Sequence, residues 1–227
     1  MHPLFSVLDL AALAWFLGAW ALYSFTLSST EQRKAGLNSE MHKYRDIWMS
    51  EMLARDMRMV DAQITAALQN GTAFFASTSL IAIGGALTLL RSTDEILQVI
   101  AALPFGIQST AVQWEAKTIG LAVIFVYAFF KFAWAYRLFN YVCILFGAMP
   151  PSSERYSAEA EAHVIRTAGM FESGGRHFNR GQRAFFFALG YLGWFVSPWV
   201  LFVTTALVVV VIWRRQFASN AWRAMSV

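Results

Sequence analysis

The sequence has little charge for its length. Only 14% of its 227 residues are charged, whereas 57% are hydrophobic and 16% are aromatic. This composition lies outside the range of ordinary soluble domains. A single cysteine, Cys143, excludes an intrachain disulfide. No segment shows the alternation of polar and apolar residues that marks a strand, which argues against a membrane β-barrel.

Motifs of familiar chemistry are also missing. No Cys or His spacing suits zinc, no Gly-Lys-Ser/Thr follows the glycines near residue 174, and no G-x-S-x-G nucleophile motif is present. The four histidines lie outside the predicted spans, which disfavours a membrane-embedded bis-histidine haem. We therefore predict no catalytic residue, cofactor or metal ligand. An enzyme would have to use an unfamiliar acid–base site at the membrane surface.

Four apolar segments are long enough to cross a bilayer, over about 5–27, 72–90, 118–149 and 184–213. The third is the most unusual: as a helix it would be roughly 48 Å long, against a hydrocarbon core of about 30 Å. It also carries two cations, which are costly inside a membrane. We predict an all-α polytopic membrane protein with four transmembrane helices, forming one membrane domain over residues 1–227.

The distribution of lysine and arginine predicts the orientation. Six basic residues lie between the first and second spans and five between the third and fourth, but only Arg91 and Lys117 lie between the second and third. The positive-inside rule then places the N-terminus outside, and we expect the cytoplasmic membrane of a bacterium. Arg214, Arg215 and Arg223 break this pattern, either as a tolerated exception or because the chain makes a fifth crossing.

Two amphipathic cytoplasmic helices are predicted in the basic connections, over about 39–70 and 154–172. The dipeptides Asn70-Gly71 and Gly174-Gly175 are the expected breaks after them. The third and fourth helices exceed the bilayer, so their excess, 138–149 and 184–193, should project into the cytoplasm. There the amphipathic helices would wrap them. The predicted shape is a tall bundle with a membrane layer and a cytoplasmic helical layer.

Three runs carry a family resemblance: YRDIWMSEMLARDMRMVDAQITAALQNGTAFFAST, YAFFKFAWAYRLFNYVCILFGAMP and FNRGQRAFFFALGYLGWFVSPW. They resemble the signature segments of the family called domain of unknown function 599, which comprises membrane proteins of bacteria and plants. The resemblance covers roughly residues 11–213. It implies a helical membrane protein, and it implies no reaction, substrate or functional residue.

A cationic and aromatic stripe on the third span is the main candidate site. Six residues fall within about 120° of one another on a helix: Tyr127, Phe130, Lys131, Trp134, Arg137 and Tyr141. They could line an anion path or bind a lipid phosphate or quinone headgroup. Alternatively, Lys131 snorkels towards the interface where Arg137 lies, with the rings stacked over both. Asp9, one turn inside the first span, is either a partner for a membrane cation or an outer-interface residue.

The charges around the first amphipathic helix form a second candidate, either a buried network that joins the two layers, with acids paired to Lys131, Arg137 or Arg183, or a solvated face. Its predicted members are Arg45, Asp46, Glu51, Arg55, Asp56, Arg58, Asp61 and Arg183. Arg183 also precedes the fourth span, where binding of a phosphate or anionic lipid competes with positive-inside anchoring.

Two functions remain open from the sequence. The first is a homo-oligomeric conduit for an ion or small solute, with Lys131 and Arg137 near the path. The second is a non-catalytic structural or scaffold subunit that binds lipid or a larger membrane complex. The expected partners are membrane lipids, anionic on the cytoplasmic side, and further copies of the chain. Nucleic acid is not expected, because the net charge of +4 comes from residues that flank spans.

Overall fold

The computed structural model describes residues 4–32, 36–101 and 109–225, and this part of the chain is all-α. Its helices are α1 (Val7–Gln32), α2 (Leu37–Leu53), α3 (Met59–Arg91), α4 (Thr93–Ala101), α5 (Ala111–Gly147), α6 (Ala158–Tyr191), α7 (Gly193–Val196), α8 (Pro198–Phe217) and α9 (Asn220–Met225). Four segments are long and apolar enough to cross a membrane: Val7–Thr26, Met59–Arg91, Ala111–Gly147 and Pro198–Met225. The predicted all-α polytopic membrane fold is therefore confirmed. Arg33 and Lys34, which contribute to the predicted orientation, lie outside the described residues.

The central helix is α5, which begins at a capping box. The Thr110 hydroxyl accepts a hydrogen bond from the backbone N–H of Gln113, whose side chain accepts one from the backbone N–H of Thr110. Helix α6 runs antiparallel to α5. The His163 ring lies 2.8 Å from the Leu145 carbonyl oxygen at one end of the pair, whereas Tyr191 packs beside Gly120 at the other.

Helix α3 packs on another side of α5, also antiparallel to it. Gln69 donates a hydrogen bond of 2.7 Å to Asn140, and further along the pair the Phe75 ring stacks on Phe132 with ring centroids 5.3 Å apart. Helices α3, α5 and α6 therefore form the body of the bundle, and α1 and α8 pack together along it.

The predicted amphipathic helix over 39–70 is two helices in the structure. Helix α2 ends at Leu53, and α3 begins at Met59 and continues through Asn70-Gly71 to Arg91. Asn70-Gly71 was expected to stop or kink the helix, and the stop is wrong because α3 runs through this dipeptide. A glycine in a helix interior costs about 1 kcal/mol, which is less than an unmade backbone hydrogen bond costs in an apolar surrounding.

The expected break at Gly174-Gly175 is also wrong, since α6 is continuous from Ala158 to Tyr191. Both glycines are buried where other side chains come close. A Cβ atom at Gly174 would lie 3.0 Å from the ring of Phe139, and one at Gly175 would lie 3.2 Å from the guanidinium of Arg45. These glycines permit close packing on α6 and do not end the helix.

The predicted fourth span, 184–213, is not one straight helix. Helix α6 ends at Tyr191, and the chain turns at Ser197 before α8 begins. The Ser197 hydroxyl accepts a hydrogen bond of 3.2 Å from the Val200 N–H. Pro198 fits the first turn of α8, because no intrahelical partner exists there for the N–H that proline lacks.

Helix α8 folds back along α6, so the two helices form a hairpin where the sequence predicted one span. The Arg215 guanidinium lies 5.3 Å from the ring centroid of Phe186, so the last turn of α8 lies beside the C-terminal half of α6. Residues 184–193, which were expected to project into the cytoplasm beside the amphipathic helices, pack with α1, α5 and α8. Ala184 and Phe187 are fully buried in the main core of the bundle.

A second cluster of buried residues forms beyond this main core, where α2 covers the C-terminal part of α5 and the N-terminal part of α6. Its largest fully buried side chains, Met49 and Met52, come from α2. Phe139, Phe146 and Phe171 complete it from α5 and α6. This cluster, called here the α2 layer, packs the part of the third predicted span that exceeds the length of a bilayer.

Candidate functional site

The predicted stripe on the third span lies on the outer surface of α5. Tyr127 is 39%, Phe130 65% and Trp134 50% exposed, and Arg137 is exposed as well. Lys131, half-buried, lies among them. We call these five residues the α5 face. The structure therefore brings together the stripe residues on the outside of a single chain.

Each cation of the α5 face is covered by a ring from the preceding or following turn of the same helix. The Lys131 ammonium lies 5.1 Å from the Tyr127 ring centroid, and the Arg137 guanidinium lies 4.9 Å from that of Tyr141. Arg137 also donates a hydrogen bond of 3.0 Å to the Tyr141 hydroxyl. Such cation–π contacts stabilise a cation by about 0.5–2 kcal/mol, depending on how far it is desolvated.

The interior behind the α5 face is filled by phenylalanine rings. Phe132 is fully buried, and the ring centroids of Phe75, Phe178 and Phe185 lie 5.3, 5.6 and 5.9 Å from it. Aromatic rings at these separations are in mutual contact. The space between α3, α5 and α6 at this level is therefore occupied by side chains.

Asp9 lies at the opposite end of α5 from the α2 layer. Its carboxylate accepts hydrogen bonds from the Trp194 indole N–H at 2.9 Å and the Ser6 hydroxyl at 2.6 Å. Lys117, only 6% exposed, donates a hydrogen bond of 2.9 Å to the Trp194 carbonyl oxygen. Asp9 thus shares Trp194 with a buried cation and joins α1, α5 and α7.

Lys117 is a residue that the sequence reasoning treated only as an orienting charge. Its ammonium lies 5.3 Å from the Trp194 ring centroid, a contact made possible by the turn between α6 and α8. The sequence places Lys117 just before the third predicted span and Trp194 inside the fourth. The only signal available was a lysine at a span end, and such a position usually reflects orientation.

The predicted interlayer network centres on Asp61, which is 1% exposed at the start of α3. Its carboxylate accepts hydrogen bonds from the Trp48 indole N–H at 2.6 Å and from Arg55 at 3.2 Å. An anion is also favoured in the first turn of a helix by the exposed backbone N–H groups there. Its partner is therefore Arg55, a neighbour in sequence, and not Lys131, Arg137 or Arg183 as the sequence suggested.

Arg58 and Asp56 join the turn before α3 to the segment after α5. Arg58 donates hydrogen bonds to the carbonyl oxygens of Met149, at 3.0 Å, and Pro150, at 2.6 Å. Asp56 accepts one from the Ser152 hydroxyl. These contacts explain why the chain turns between α2 and α3, since Arg58 satisfies carbonyl groups that follow the end of α5.

The remaining members of the predicted network lie apart from Asp61. Arg45 lies with its guanidinium 5.7 Å from the Phe171 ring centroid in the α2 layer. Asp46 and Glu51 are exposed. Arg183 lines a cleft between α1, α2, α6 and α8. Members of the predicted set are therefore found around Asp61, at the turn before α3, in the α2 layer and in this cleft.

Within the described ranges, no group of three or more His, Cys, Asp or Glu residues is close enough to hold a metal ion. The family model described as "Protein of unknown function, DUF599" matches residues 11–221. No curated protein and no solved structure matches the chain. The match covers most of the sequence and includes all three runs that carry the resemblance. The chain therefore belongs to this family of proteins of unknown function.

Proposed function

We propose that the protein is a non-catalytic structural subunit of the membrane, which uses the α5 face to bind lipid or another membrane chain. The observation that carries this proposal is the placement of Lys131 and Arg137 on the outside of a bundle whose interior is filled by rings. A cation at membrane depth is costly unless it finds electronegative or aromatic cover. Lipid phosphate or a partner chain bound to the α5 face would give these two cations further electronegative or aromatic contacts.

The proposal includes an orientation with five crossings. The C-terminal half of α6 packs along α8 and α1, so it would cross with them, although it is more polar than the four segments above. Arg214 and Arg215 would then lie at the same side as Arg183 and the α1–α2 connection, which removes the exception to the positive-inside rule. To test this, a Ser219→Cys variant lacking Cys143 is treated with a membrane-impermeant maleimide. Labelling should occur from the cytoplasmic side alone, and labelling from outside would refute five crossings.

The α5 face is tested by purifying the full chain in mild detergent and weighing it by native mass spectrometry. Wild-type protein should carry a bound lipid or partner chain, and Trp134→Ala should reduce its occupancy about tenfold, because an aromatic anchor contributes about 1–2 kcal/mol or more. Phe74→Ala is the matched control, since Phe74 is 65% exposed on α3. Equal loss in both variants, or no bound species in wild type, would contradict the proposal.

A conduit is the second candidate, favoured by the cations of the α5 face. Several copies arranged with their α5 faces inward would enclose an anion-attracting path, whereas the ring-filled interior of one chain offers none. This candidate predicts anion flux in proteoliposomes, reduced by Lys131→Gln and unaffected by Phe74→Ala. Flux equal to that of empty liposomes under every gradient tested would exclude it and leave the structural subunit.

A further inference from the structure

A polar cleft lies at the end of the bundle where α1, α2, α6 and α8 meet. It has a volume of about 150 Å³, and its polar lining comprises Arg183 and Arg215 with the amides of Asn38, Asn179, Gln182 and Gln216. None of its described lining residues is acidic. Guanidinium and amide N–H groups are hydrogen-bond donors, and arginine in particular matches the oxygens of a phosphate. The lining therefore suits an anion.

The sequence that follows Glu172 is also positively charged, as the lining of the cleft is. Glu172 is the last acidic residue of the chain, whereas Arg214, Arg215 and Arg223 all follow it. The Arg215 guanidinium stacks near the Phe186 ring at 5.3 Å, which fixes its stem against α6. A cation held in this way loses little rotamer freedom when it binds an anion.

Tyr23 supplies an independent indication that the cleft takes a ligand. This tyrosine is 5% exposed and lines the cleft beside Arg183 and Arg215. Its hydroxyl has no hydrogen-bond partner within the part of the chain that the structure describes. A buried hydroxyl without a partner costs about 1–3 kcal/mol. An anion between the two arginines would accept this hydrogen bond.

An apolar groove runs from the cleft along the surface between α1 and α8. Its volume is about 920 Å³, and Tyr23 lines both the groove and the cleft. Small residues on α1, among them Gly18 and Ala14, make room for it, and Trp15 and Trp213 flank it. The cleft and the groove together therefore form one amphipathic site, with a cationic end and a long apolar end.

We propose that this site binds one anionic phospholipid, with its phosphate between Arg183 and Arg215 and its acyl chains in the groove between α1 and α8. A free phosphate would fill the cleft and leave the groove empty, whereas a helix of a second copy would use the groove and not the cleft. Phosphatidylcholine would bring its own cation towards the two arginines. An anionic phospholipid is the occupant whose chemistry matches both ends, and this site is separate from the α5 face.

The test is lipid binding to the full chain in detergent, titrated with phosphatidylglycerol, phosphatidylcholine or inorganic phosphate and counted by native mass spectrometry. Arg215→Gln should weaken phosphatidylglycerol binding at least tenfold, the effect of losing one charge-assisted contact. Arg214→Gln is the matched control, because both arginines are exposed on the same helix but only Arg215 lines the cleft. Trp134→Ala should leave this lipid bound, which separates the site from the α5 face.

Two further variants separate the sources of the anion and guard against misfolding. Tyr23→Phe keeps the ring, removes only the unpartnered hydroxyl and should weaken binding several-fold without lowering stability. Gly18→Leu should block the acyl chains and spare phosphate, since nothing lies within 4 Å of a Cβ atom at Gly18. Equal effects of Arg215→Gln and Arg214→Gln, or equal affinity for phosphatidylcholine, would overturn the proposal. The proposal would also fail if phosphatidylglycerol did not compete with bound phosphate, which would indicate a site for free phosphate alone. It would fail equally if no lipid bound and the protein were a dimer that Gly18→Leu dissociates, which would indicate a second copy in the groove.

Discussion

Gly181→Ala tests whether the ring-filled interior holds the bundle together. A Cβ atom at Gly181 would lie 2.7, 2.8 and 2.9 Å from three ring atoms of Phe132. Ordinary contacts between carbon atoms are about 3.5–4.0 Å, so the ring would have to move by roughly 0.7 Å or more. The Phe132 ring cannot move freely, because Phe75 stacks on it and Phe178 packs against its edge. Overpacking of this kind costs about 1–3 kcal/mol.

The matched control is Gly71→Ala, since Gly71 is also inside a helix but nothing lies within 4 Å of a Cβ atom there. Alanine is favoured over glycine in a helix interior by about 1 kcal/mol. The same gain applies at Gly181 and offsets part of the overpacking there. Gly181→Ala should therefore lower the free energy of unfolding by up to about 2 kcal/mol, whereas Gly71→Ala should raise it by about 1 kcal/mol.

The assay is thermal unfolding of the full chain in one detergent, followed by circular dichroism and by tryptophan fluorescence. For a chain of this size, 1 kcal/mol corresponds to about 2–4 °C in Tm. Gly181→Ala should therefore unfold several degrees below wild type and Gly71→Ala at or above it. If Gly181→Ala unfolds at the same temperature as Gly71→Ala, the ring packing is not as tight as described and the reasoning fails.

Two further changes test single contacts. Asp61→Asn should lower the free energy of unfolding, measured by denaturant titration, by about 1.5–3 kcal/mol, because the carboxylate accepts two hydrogen bonds while almost fully buried. The control is Asp46→Asn at an exposed site on α2, which should change it by about 0.5 kcal/mol or less. Trp194→Phe removes the indole N–H that donates a hydrogen bond to Asp9, and it should lower the free energy of unfolding by about 1 kcal/mol in a thermal unfolding experiment. Trp199, which is 66% exposed, provides the control: Trp199→Phe should leave the stability unchanged.

The membrane-spanning helices were predictable because a long apolar run has few other interpretations. The sequence was also enough to group Tyr127, Lys131 and Trp134 on one face of α5, since residues three and four apart share a face on any helix. Asp61 was among the candidates for a buried network, but its partners were not readable from the sequence. Its burial depends on Trp48 and Arg55, which return to it only because the chain turns between α2 and α3.

The errors share a physical cause. Glycine pairs were read as breaks, but Gly174 and Gly175 are required by the approach of Phe139 and Arg45 from other helices. Conversely, the true turn at Ser197 lies inside an apolar run that reads as one span. Its signal, a serine cap before a proline, is local and was outweighed by hydrophobicity. Tertiary contacts decided both cases, and a single sequence does not display them.

The packing of α1 has a consequence for how the protein is made. Its main neighbour is α8, and Phe16 also packs on Phe187 of α6. Helix α1 therefore meets α8 only after the chain between Gln32 and Phe217 has been made. At about 5–20 residues per second, synthesis of that interval takes roughly ten to forty seconds. During this time the surface of α1 that later packs on α8 must be covered by lipid or by the insertion machinery. Another membrane helix could compete with α8 for that surface before α8 is made.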